Sequence, residues 1–428
     1  MDTIFAQATA TGRAGVSVIR LSGRQAFDIA NNFCKLPAVG RMGLRAFLGS
    51  DGALIDHGLV LCFEQGASFT GERVVEFQVH GGLATVAKLL AELSMQDGCR
   101  LAEPGEFTRR ALENGQLDLY QVEALSDLID AETEAQRQQA IRVLGGSFGD
   151  AGAQWRGKLL RAVALLEASI DFSDEEIPDN LSVEVVKLVE ETCGSIVAIL
   201  ERSTMASKIR TGFTVAIIGA PNVGKSTLLN AIVGRQAAIT SSVAGTTRDV
   251  IECRVDLQGL AVSFFDTAGL RDSEDEIENL GISKAYEMAS AADIRVFLVE
   301  EEGGVLPIAC RDEDIVCLNK ADERQPGAAA VSGKTGEGVS ELLRQISERL
   351  MVKTPQDVVA IRERQITGLR AAETSLERVL ELLRADPLPF ELASQELYFA
   401  LSELDFVFGR IDVESVLDEI FSSFCLGK

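Results

Sequence analysis

The chain contains 428 residues and carries a net charge of −24, with 46% hydrophobic and 25% charged residues. This length predicts about two to four domains, and the negative charge disfavours a nucleic-acid-binding surface spread over the whole protein. No apolar run reaches the length of a membrane span and no secretion signal is visible, which predicts a cytoplasmic protein without membrane contact. The eight cysteines form no CxxC pair and only two histidines occur, which disfavours a disulfide framework and a zinc site.

The first part of the chain, residues 1–116, alternates short apolar runs with glycine turns. The segments "VSVIRL", "HGLVLCF" and "RVVEFQVH" predict strands, and "LATVAKLLAEL" predicts a helix. We therefore expect residues 1–116 to form an α/β domain.

Helical patterns follow on both sides of a central block. Leu119, Val122, Leu125 and Leu128 recur three residues apart, and long helical patterns resume after Pro355. Between them, strand and helix patterns alternate. A compact domain with close termini can be inserted into another domain. We therefore predict one all-α domain in two parts, residues 117–209 and 352–428, with a second domain, residues 210–351, inserted between them.

The inserted domain begins with a phosphate-binding motif. "GAPNVGKS" follows the apolar strand "FTVAIIG" and precedes the helix "TLLNAI", the context that the GxxxxGK[ST] motif requires. Lys225 is expected to reach the β- and γ-phosphates, and the Ser226 hydroxyl to bind Mg²⁺. The other residues of this loop that we expect to contact the nucleotide are Asn222, Val223, Gly224 and Thr227.

Four shorter motifs follow in an order that identifies the nucleotide as GTP. "DTAG" can hold the magnesium shell and sense the γ-phosphate, "NKAD" and "SGK" suit a guanine base, and "GTTRD" offers Thr247 to Mg²⁺. Together they predict a Ras-like P-loop G domain that binds GTP and Mg²⁺. The residues concerned are Thr247, Asp266, Thr267, Ala268, Gly269, Asn319, Lys320, Asp322, Ser332, Gly333 and Lys334.

The motifs leave alternatives open for the residues that would assist GTP hydrolysis. Leu270 lies at the position where many GTP-hydrolysing switch proteins have a glutamine that orients the attacking water, and an acidic stretch with Glu278 follows. That stretch can orient the water or form a solvated surface. Arg248 can act as an arginine finger or be merely exposed, and Asn222 can bind a monovalent cation or stabilise the loop turn.

Several long segments resemble one family. "DTIFAQATATGRAGVSVIRLSG", "SFTGERVVEFQVHGG", "AEPGEFTRRALENGQLDLYQVEALSDLIDA", "DFSDEEI" and the terminal "FCLGK", with the G-domain motifs, resemble the MnmE (TrmE) family of tRNA uridine-5-carboxymethylaminomethyl modification GTPases. The resemblance implies an N-terminal tetrahydrofolate-binding and dimerisation domain, a discontinuous helical domain and an inserted G domain.

The resemblance also implies a reaction and its partners. A potassium-activated GTPase of this family forms a homodimer and joins the FAD-containing protein MnmG in a heterotetramer or larger complex. The complex adds a carboxymethylaminomethyl or aminomethyl group to C5 of the wobble uridine in certain tRNAs. The one-carbon unit comes from 5,10-methylenetetrahydrofolate or 5-formyltetrahydrofolate.

Individual site residues follow from the resemblance as well. Glu278 corresponds to the acid that positions the attacking water, and Cys425 to the thiol near the one-carbon site. Gln116 stands where the family pattern has a basic residue, so one folate contact is weakened or replaced. The expected potassium ligands are Asn222, Ser241, Val243 and Thr246, of which Ser241 and Thr246 also belong to the GTP site. The expected folate contacts are Arg20, Glu76, Gln116 and Lys428.

Four questions stay open at the level of sequence. The chain can instead be a regulatory GTPase that binds RNA or ribosomal partners without modification chemistry, or its N-terminal domain can be a dimerisation platform that has lost folate. Arg109 and Arg110 can contact tRNA or lie on a solvated helix face. The tail "FCLGK" can be frayed, but the resemblance favours a tail that returns to the folate interface.

Overall fold

The computed structural model describes residues 2–171, 180–235, 252–266, 287–301, 303–304, 306, 308–323, 330–352, 362–385, 389–410, 417, 420–421, 424 and 427. The chain divides into two compact units. Unit 1 comprises Met1–Ser126 and Leu404–Lys428, and unit 2 comprises Asp127–Glu403. No helix in the described part of the chain is long and apolar enough to cross a membrane.

Unit 1 is built on a six-stranded sheet with the strand order β3-β4-β5-β2-β1-β6. Neighbouring strands are antiparallel except for β1 and β6, which are parallel. The elements, in chain order, are β1 Thr3–Gln7, β2 Ala14–Ser22, α1 Ala26–Asn31, β3 Gly43–Leu48, β4 Leu54–Phe63, β5 Val74–Gly81, α2 Leu83–Ser94, β6 Cys99–Leu101, α3 Glu106–Glu113 and α4 Leu119–Ile129. The strands and the helix predicted in this region are confirmed.

The two faces of this sheet differ because side chains alternate along each strand. Val60, Val75 and Phe77 point to the face covered by α1 and α2, where they are buried in one core. The opposite side of β3 and β4, which we call the open face, carries Leu44 with 66% of its surface exposed. Leu44 pairs with Leu59 across the two strands, so apolar side chains continue along the open face.

The C-terminal tail packs into unit 1 wherever the structure describes it. Phe421 and Phe424 are buried and form a small core with Leu119 and Val122. Gly427 is also buried and lies against the Gln7 backbone. The tail is therefore tied down at these three positions, whereas Cys425 and Lys428 lie outside the described residues, and the predicted return of the tail to the folate interface stays a prediction.

Unit 2 combines long helices with the second sheet. Its elements are α5 Glu134–Leu144, α6 Ser147–Asp171, α7 Asn180–Thr211, β7 Phe213–Gly219, α8 Lys225–Arg235, β8 Glu252–Leu257, β9 Leu260–Asp266, β10 Ile294–Val299, β11 Ile315–Asn319, a 3₁₀ turn Ala321–Glu323, β12 Ala330–Val331, α9 Val339–Val352, α10 Glu363–Leu382 and α11 Phe390–Val407. α7 packs against α6 and α10. The helical patterns on both sides of the central block are thus confirmed.

The second sheet has the strand order β12-β11-β10-β7-β9-β8, parallel throughout except for the edge strand β8. β7 is central and buried on both faces: Val215 and Ile217 face one core, and Ala216 and Ile218 face the other. The ends of β7, β9 and β11 carry the predicted phosphate, magnesium and guanine motifs. Because the carboxyl ends of parallel strands meet at one edge of a sheet, this topology brings the motifs together.

Candidate functional site

The phosphate-binding loop turns sharply between β7 and α8. Asn222 has φ of 60° and Gly224 has φ of 101°, so both lie in the left-handed region that asparagine and glycine tolerate best. A Cβ atom at Gly224 would lie 2.8 Å from Nδ2 of Asn319. The glycine therefore serves close packing as well as backbone conformation, and it lets the loop approach the guanine motif.

Lys225 begins α8 and lies under the loop. Its side chain is buried, and Nζ donates hydrogen bonds to the carbonyl oxygens of Gly219 at 2.9 Å and Ala220 at 3.0 Å. These bonds hold the ammonium group inside the loop, where a phosphate chain would lie. A bound nucleotide would exchange carbonyl partners for phosphate oxygens, which are stronger acceptors.

Ser226 and Asp266 meet at the next position along the site. Oγ of Ser226 donates to Oδ2 of Asp266 at 2.6 Å, and Asp266 is only 4% exposed. Oδ1 of Asp266 is buried and has no hydrogen-bond partner among the described residues. An unsatisfied buried carboxylate oxygen beside a hydroxyl suits Mg²⁺, which prefers oxygen ligands and keeps several waters, so these residues fit the ion.

The guanine motifs close the other side of the loop. The side-chain amide of Asn319 donates to the Val223 carbonyl, which fixes the end of β11 against the phosphate loop. Asp322 is exposed, and a hydrogen bond from the Ser332 side chain lowers its pKa. The backbone of Gly333 lies directly against Thr227 at the start of α8. The structure thus brings three predicted motifs together and leaves the Asp322 carboxylate charged and accessible, as recognition of a guanine edge requires.

Other predicted residues of this site lie outside the described residues. They are Ser241, Val243, Thr246, Thr247, Thr267, Ala268, Gly269 and Glu278, together with Arg248. Lys320 and Lys334 are described and exposed, and Lys320 has φ of 59°.

A second group of predicted residues meets on the sheet of unit 1. Arg20 on β2 lies opposite Glu76 on β5, and Nε of Arg20 donates to Oε1 of Glu76 at 2.9 Å. The guanidinium also lies 5.6 Å from the ring centre of Phe69 and 5.7 Å from that of Phe107. Among the described residues nothing bonds to Oε2 of Glu76. A partly exposed carboxylate, held by a guanidinium that lies against two aromatic rings, fits a flat heterocycle that donates N–H groups, such as a pterin.

The other described residue of the predicted folate set is Gln116. It is exposed, and its Nε2 donates only a long hydrogen bond of 3.5 Å, to the Asn114 carbonyl. Lys428, the remaining member, lies outside the described residues.

Arg110 corrects one sequence interpretation. It is 4% exposed and pairs with Glu72 at 3.0 Å and Glu106 at 2.9 Å. It therefore lies neither on a solvated helix face nor on an RNA-binding surface. Arg109 stacks over the Phe421 ring at 5.0 Å. The missed signal was the four-residue spacing from Glu106 to Arg110, which favours an ion pair on one helix face.

The same network determines the charge of Glu106. Burial raises the pKa of this carboxyl, but hydrogen bonds from Arg100, from the Glu103 backbone and from Arg110 outweigh burial and lower the pKa overall. Arg100 holds Glu106 through two bonds of 2.9 and 2.7 Å. Glu106 is thus a charged anchor between two arginines.

Several known proteins are similar to this chain. Residues 3–116 match the family described as the N-terminus of the GTP-binding protein TrmE, and residues 119–425 match the MnmE helical domain. The chain is 52% identical over 430 residues to the tRNA modification GTPase MnmE of Ruegeria pomeroyi and 51% identical over 429 residues to that of Roseobacter denitrificans, in each case covering 100% of both chains. A solved structure of an Era variant from Aquifex aeolicus with GDP and aluminium fluoride covers 38% of this chain and 66% of its own, at 25% identity and a TM-score of 0.26.

Proposed function

The chain belongs to the MnmE family of tRNA modification GTPases, and we propose that it is activated by potassium and uses a folate-carried one-carbon unit. It is a GTP hydrolase that acts in tRNA modification and binds GTP and Mg²⁺. The observation that carries the catalytic part is the hydrogen bond of 2.6 Å from Ser226, at the surface, to the buried carboxylate of Asp266, directly beside Lys225. These groups come from the start of α8 and the end of β9 and form one phosphate and magnesium site.

Each described residue of the site has a distinct task in hydrolysis. Mg²⁺ supplies electrostatic stabilisation of the phosphates when it is bound. Ser226 would ligate the ion, Asp266 would hold its water shell, and Lys225 would neutralise the β- and γ-phosphates. Asp322 would accept hydrogen bonds from guanine. Glu278, which lies outside the described residues, is proposed to orient the attacking water.

The potassium proposal rests on Asn222 and on the resemblance. The left-handed backbone at Asn222 and its exposed side chain leave an amide oxygen available at the phosphate loop. Amide and carbonyl oxygens are hard ligands suited to such a cation. Ser241, Val243 and Thr246 are proposed as the remaining ligands, so that potassium stabilises the charge that an arginine finger stabilises elsewhere.

A comparison of salts tests this proposal. We expect GTP turnover to be faster in potassium than in sodium, and Asn222→Gly to abolish the difference. Glycine accepts the left-handed φ but lacks the amide oxygen, so this variant separates loss of a ligand from strain in the loop. Equal wild-type rates in the two salts would refute potassium activation.

The folate proposal rests on Arg20 and Glu76. Their partly exposed pair, flanked by Phe69 and Phe107, supports binding of 5,10-methylenetetrahydrofolate or 5-formyltetrahydrofolate. The exposed apolar residues of the open face support a homodimer formed by unit 1, because exposed apolar patches of this kind commonly mark protein interfaces. Cys425 and Lys428 are proposed to reach the same site.

Equilibrium binding of 5-formyltetrahydrofolate tests this part. We expect saturable binding that Glu76→Gln weakens strongly, since the amide replaces an acceptor with a donor at almost the same size. Asp56→Asn changes another carboxylate of unit 1 and serves as the control. If the wild type does not bind 5-formyltetrahydrofolate saturably, the folate proposal is wrong and unit 1 is a dimerisation platform without folate.

The complete reaction is proposed to need the FAD-containing protein MnmG, in a heterotetramer or larger complex, and tRNA in the cytoplasm. The negative net charge of this chain supports a partner that supplies most of the basic surface for tRNA. Nucleoside analysis of tRNA after deletion of the gene should reveal loss of the carboxymethylaminomethyl or aminomethyl group at C5 of wobble uridine. An unchanged profile would favour a regulatory GTPase that binds RNA or ribosomal partners without modification chemistry.

A further inference from the structure

A polar cavity of about 620 Å³ lies at one end of the sheet in unit 1, within the usual size range of ligand sites. It opens where β2 ends and β5 begins, and the backbone N–H of Gly23 bonds to the Arg73 carbonyl at 3.0 Å beside it. Six residues line the cavity: Arg24, Gln65, Gly71, Glu72, Arg73 and Asn114.

The charges around this cavity favour an anion. Arg24 is exposed, and its side chain has no hydrogen bond or ion pair with any residue that the structure describes. Arg73 pairs with Glu64 at 2.6 Å and keeps about half of its side chain exposed. Glu72 is already neutralised by Arg110 at 3.0 Å. The cavity therefore holds two guanidinium groups, of which that of Arg24 is unpaired among the described residues, although the chain as a whole has a net charge of −24.

Gly71 connects the cavity to the predicted folate site. It lines the cavity, and a Cβ atom at this position would lie 3.1 Å from Cγ of Gln116. The neighbouring Thr70 accepts a hydrogen bond from Asn114 at 2.7 Å, and Phe69 lies under Arg20. One short loop therefore separates the Arg20–Glu76 pair from the cavity, and Gln116 lies at the border.

We propose that this cavity binds the glutamyl carboxylates of the folate, and that Arg24 supplies the positive charge that Gln116 lacks. The inference rests on the proposed folate function. Guanidinium groups bind carboxylates through two parallel hydrogen bonds, and each added glutamyl residue brings another carboxylate to the cavity. The basic residue of the family pattern at position 116 is replaced here by a cation from a different loop.

Binding of 5-formyltetrahydrofolate with one or three glutamyl residues tests the proposal in the full-length protein at low ionic strength. We expect the wild type to bind the triglutamate about tenfold more tightly than the monoglutamate. Arg24→Ala should remove most of this preference, and the double variant Arg24→Ala with Gln116→Lys should restore tight triglutamate binding. Thermal unfolding of each variant verifies that unit 1 is intact.

Arg13→Ala is the matched control. Arg13 is also exposed and has no side-chain partner among the described residues, but it precedes β2 whereas Arg24 follows it. The nine residues of β2 separate the two by roughly 30 Å. This variant should keep the wild-type preference.

Two outcomes contradict the inference in different ways. If the wild type binds both folates and Arg24→Ala keeps the full preference for the triglutamate, the cavity does not hold the tail, and the proposed folate function stands. If the wild type binds neither folate, the proposed folate function fails and this inference fails with it.

Discussion

In the nucleotide site, the phosphate loop is one contiguous segment, residues 219–226, whereas Arg20 and Glu76 are 56 residues apart and meet across two strands. The phosphate loop determines its own geometry through local turns at Asn222 and Gly224. The Arg20–Glu76 pair depends on the register between β2 and β5. The geometry of the nucleotide site is therefore a property of a short segment, and that of the Arg20–Glu76 site is a property of a folded sheet.

The two sites also depend on different supports. Behind the phosphate loop lies an apolar core that includes Val223 and Leu228. The region beside Arg20 and Glu76 is held by a buried ionic network centred on Arg110. Substitutions should therefore affect the two units separately, and the following experiments test this separation from the largest expected effect to the smallest.

Arg110→Ala should destabilise unit 1 by about 3 kcal/mol, because it removes a buried cationic partner from the half-buried Glu72 and from the buried Glu106, which keeps Arg100. Hydrogen exchange of the β2 and β5 amides should accelerate, while exchange in β7 stays unchanged. Arg344→Ala, which removes exposed ion pairs on α9, should change neither. Equal exchange of β2 in wild type and Arg110→Ala would mean that the network contributes nothing to stability.

Ser226→Ala should lower kcat/KM for GTP by about 100-fold or more, since a group that stabilises transition-state charge through the metal is lost. Folate binding to unit 1 should stay at its wild-type value. Ser340→Ala, on the surface of the same domain, should leave turnover unchanged. A loss of folate binding in Ser226→Ala would show that the two sites are not separate.

Asp322→Asn should weaken GTP binding by about 10- to 100-fold, the usual value of a hydrogen bond to a charged group. The neighbouring Glu323→Gln changes another exposed acid and should bind GTP like the wild type. The measurement is nucleotide titration in the presence of Mg²⁺. If both variants bind GTP equally well, the guanine edge is recognised elsewhere.

The smallest effect concerns the acid stability of unit 1. The folded pKa of Glu106 is lowered from 4.5, so its contribution to stability is present above about pH 4.5 and is lost as the pH falls through the folded pKa. Glu106→Gln should flatten the decline of unit 1 stability below pH 4.5. The comparison is hydrogen exchange of β2 at acidic and neutral pH in both proteins. An unchanged acid decline in the variant would assign it to other carboxyls.

Much of the nucleotide site could be predicted from the sequence for a physical reason. Gly219 to Ser226 follow one another, so the strand, turn and helix that the motif needs are all encoded locally. The contact of Asn319 with the Val223 carbonyl was not predicted, because it joins loops almost a hundred residues apart. The order of the motifs identified the nucleotide as GTP, but the shared sheet edge and the packing of the motifs along it appear only in the fold.

The site in unit 1 could be predicted only through the family resemblance. The alternation of apolar and polar residues in "RVVEFQVH" predicts a strand, but it does not indicate which strand pairs with it. The pairing of Arg20 with Glu76 therefore had no signal in residue spacing. Arg110 illustrates the same limit, because its exposed or buried state depends on where Glu72 lies after folding.

The sequence by itself determined the GTP-binding loop and the strand before it, the helical regions on both sides of the inserted domain and three strands of the first sheet, because turns, periodicity and strand alternation act over a few residues. The tertiary structure decided that Arg110 is a buried ion-pair partner and that Glu76 faces Arg20. It also decided that the cavity beside Gln116 contains Arg24. These are contacts between distant segments, and sheet register and desolvation, not local preference, determine them.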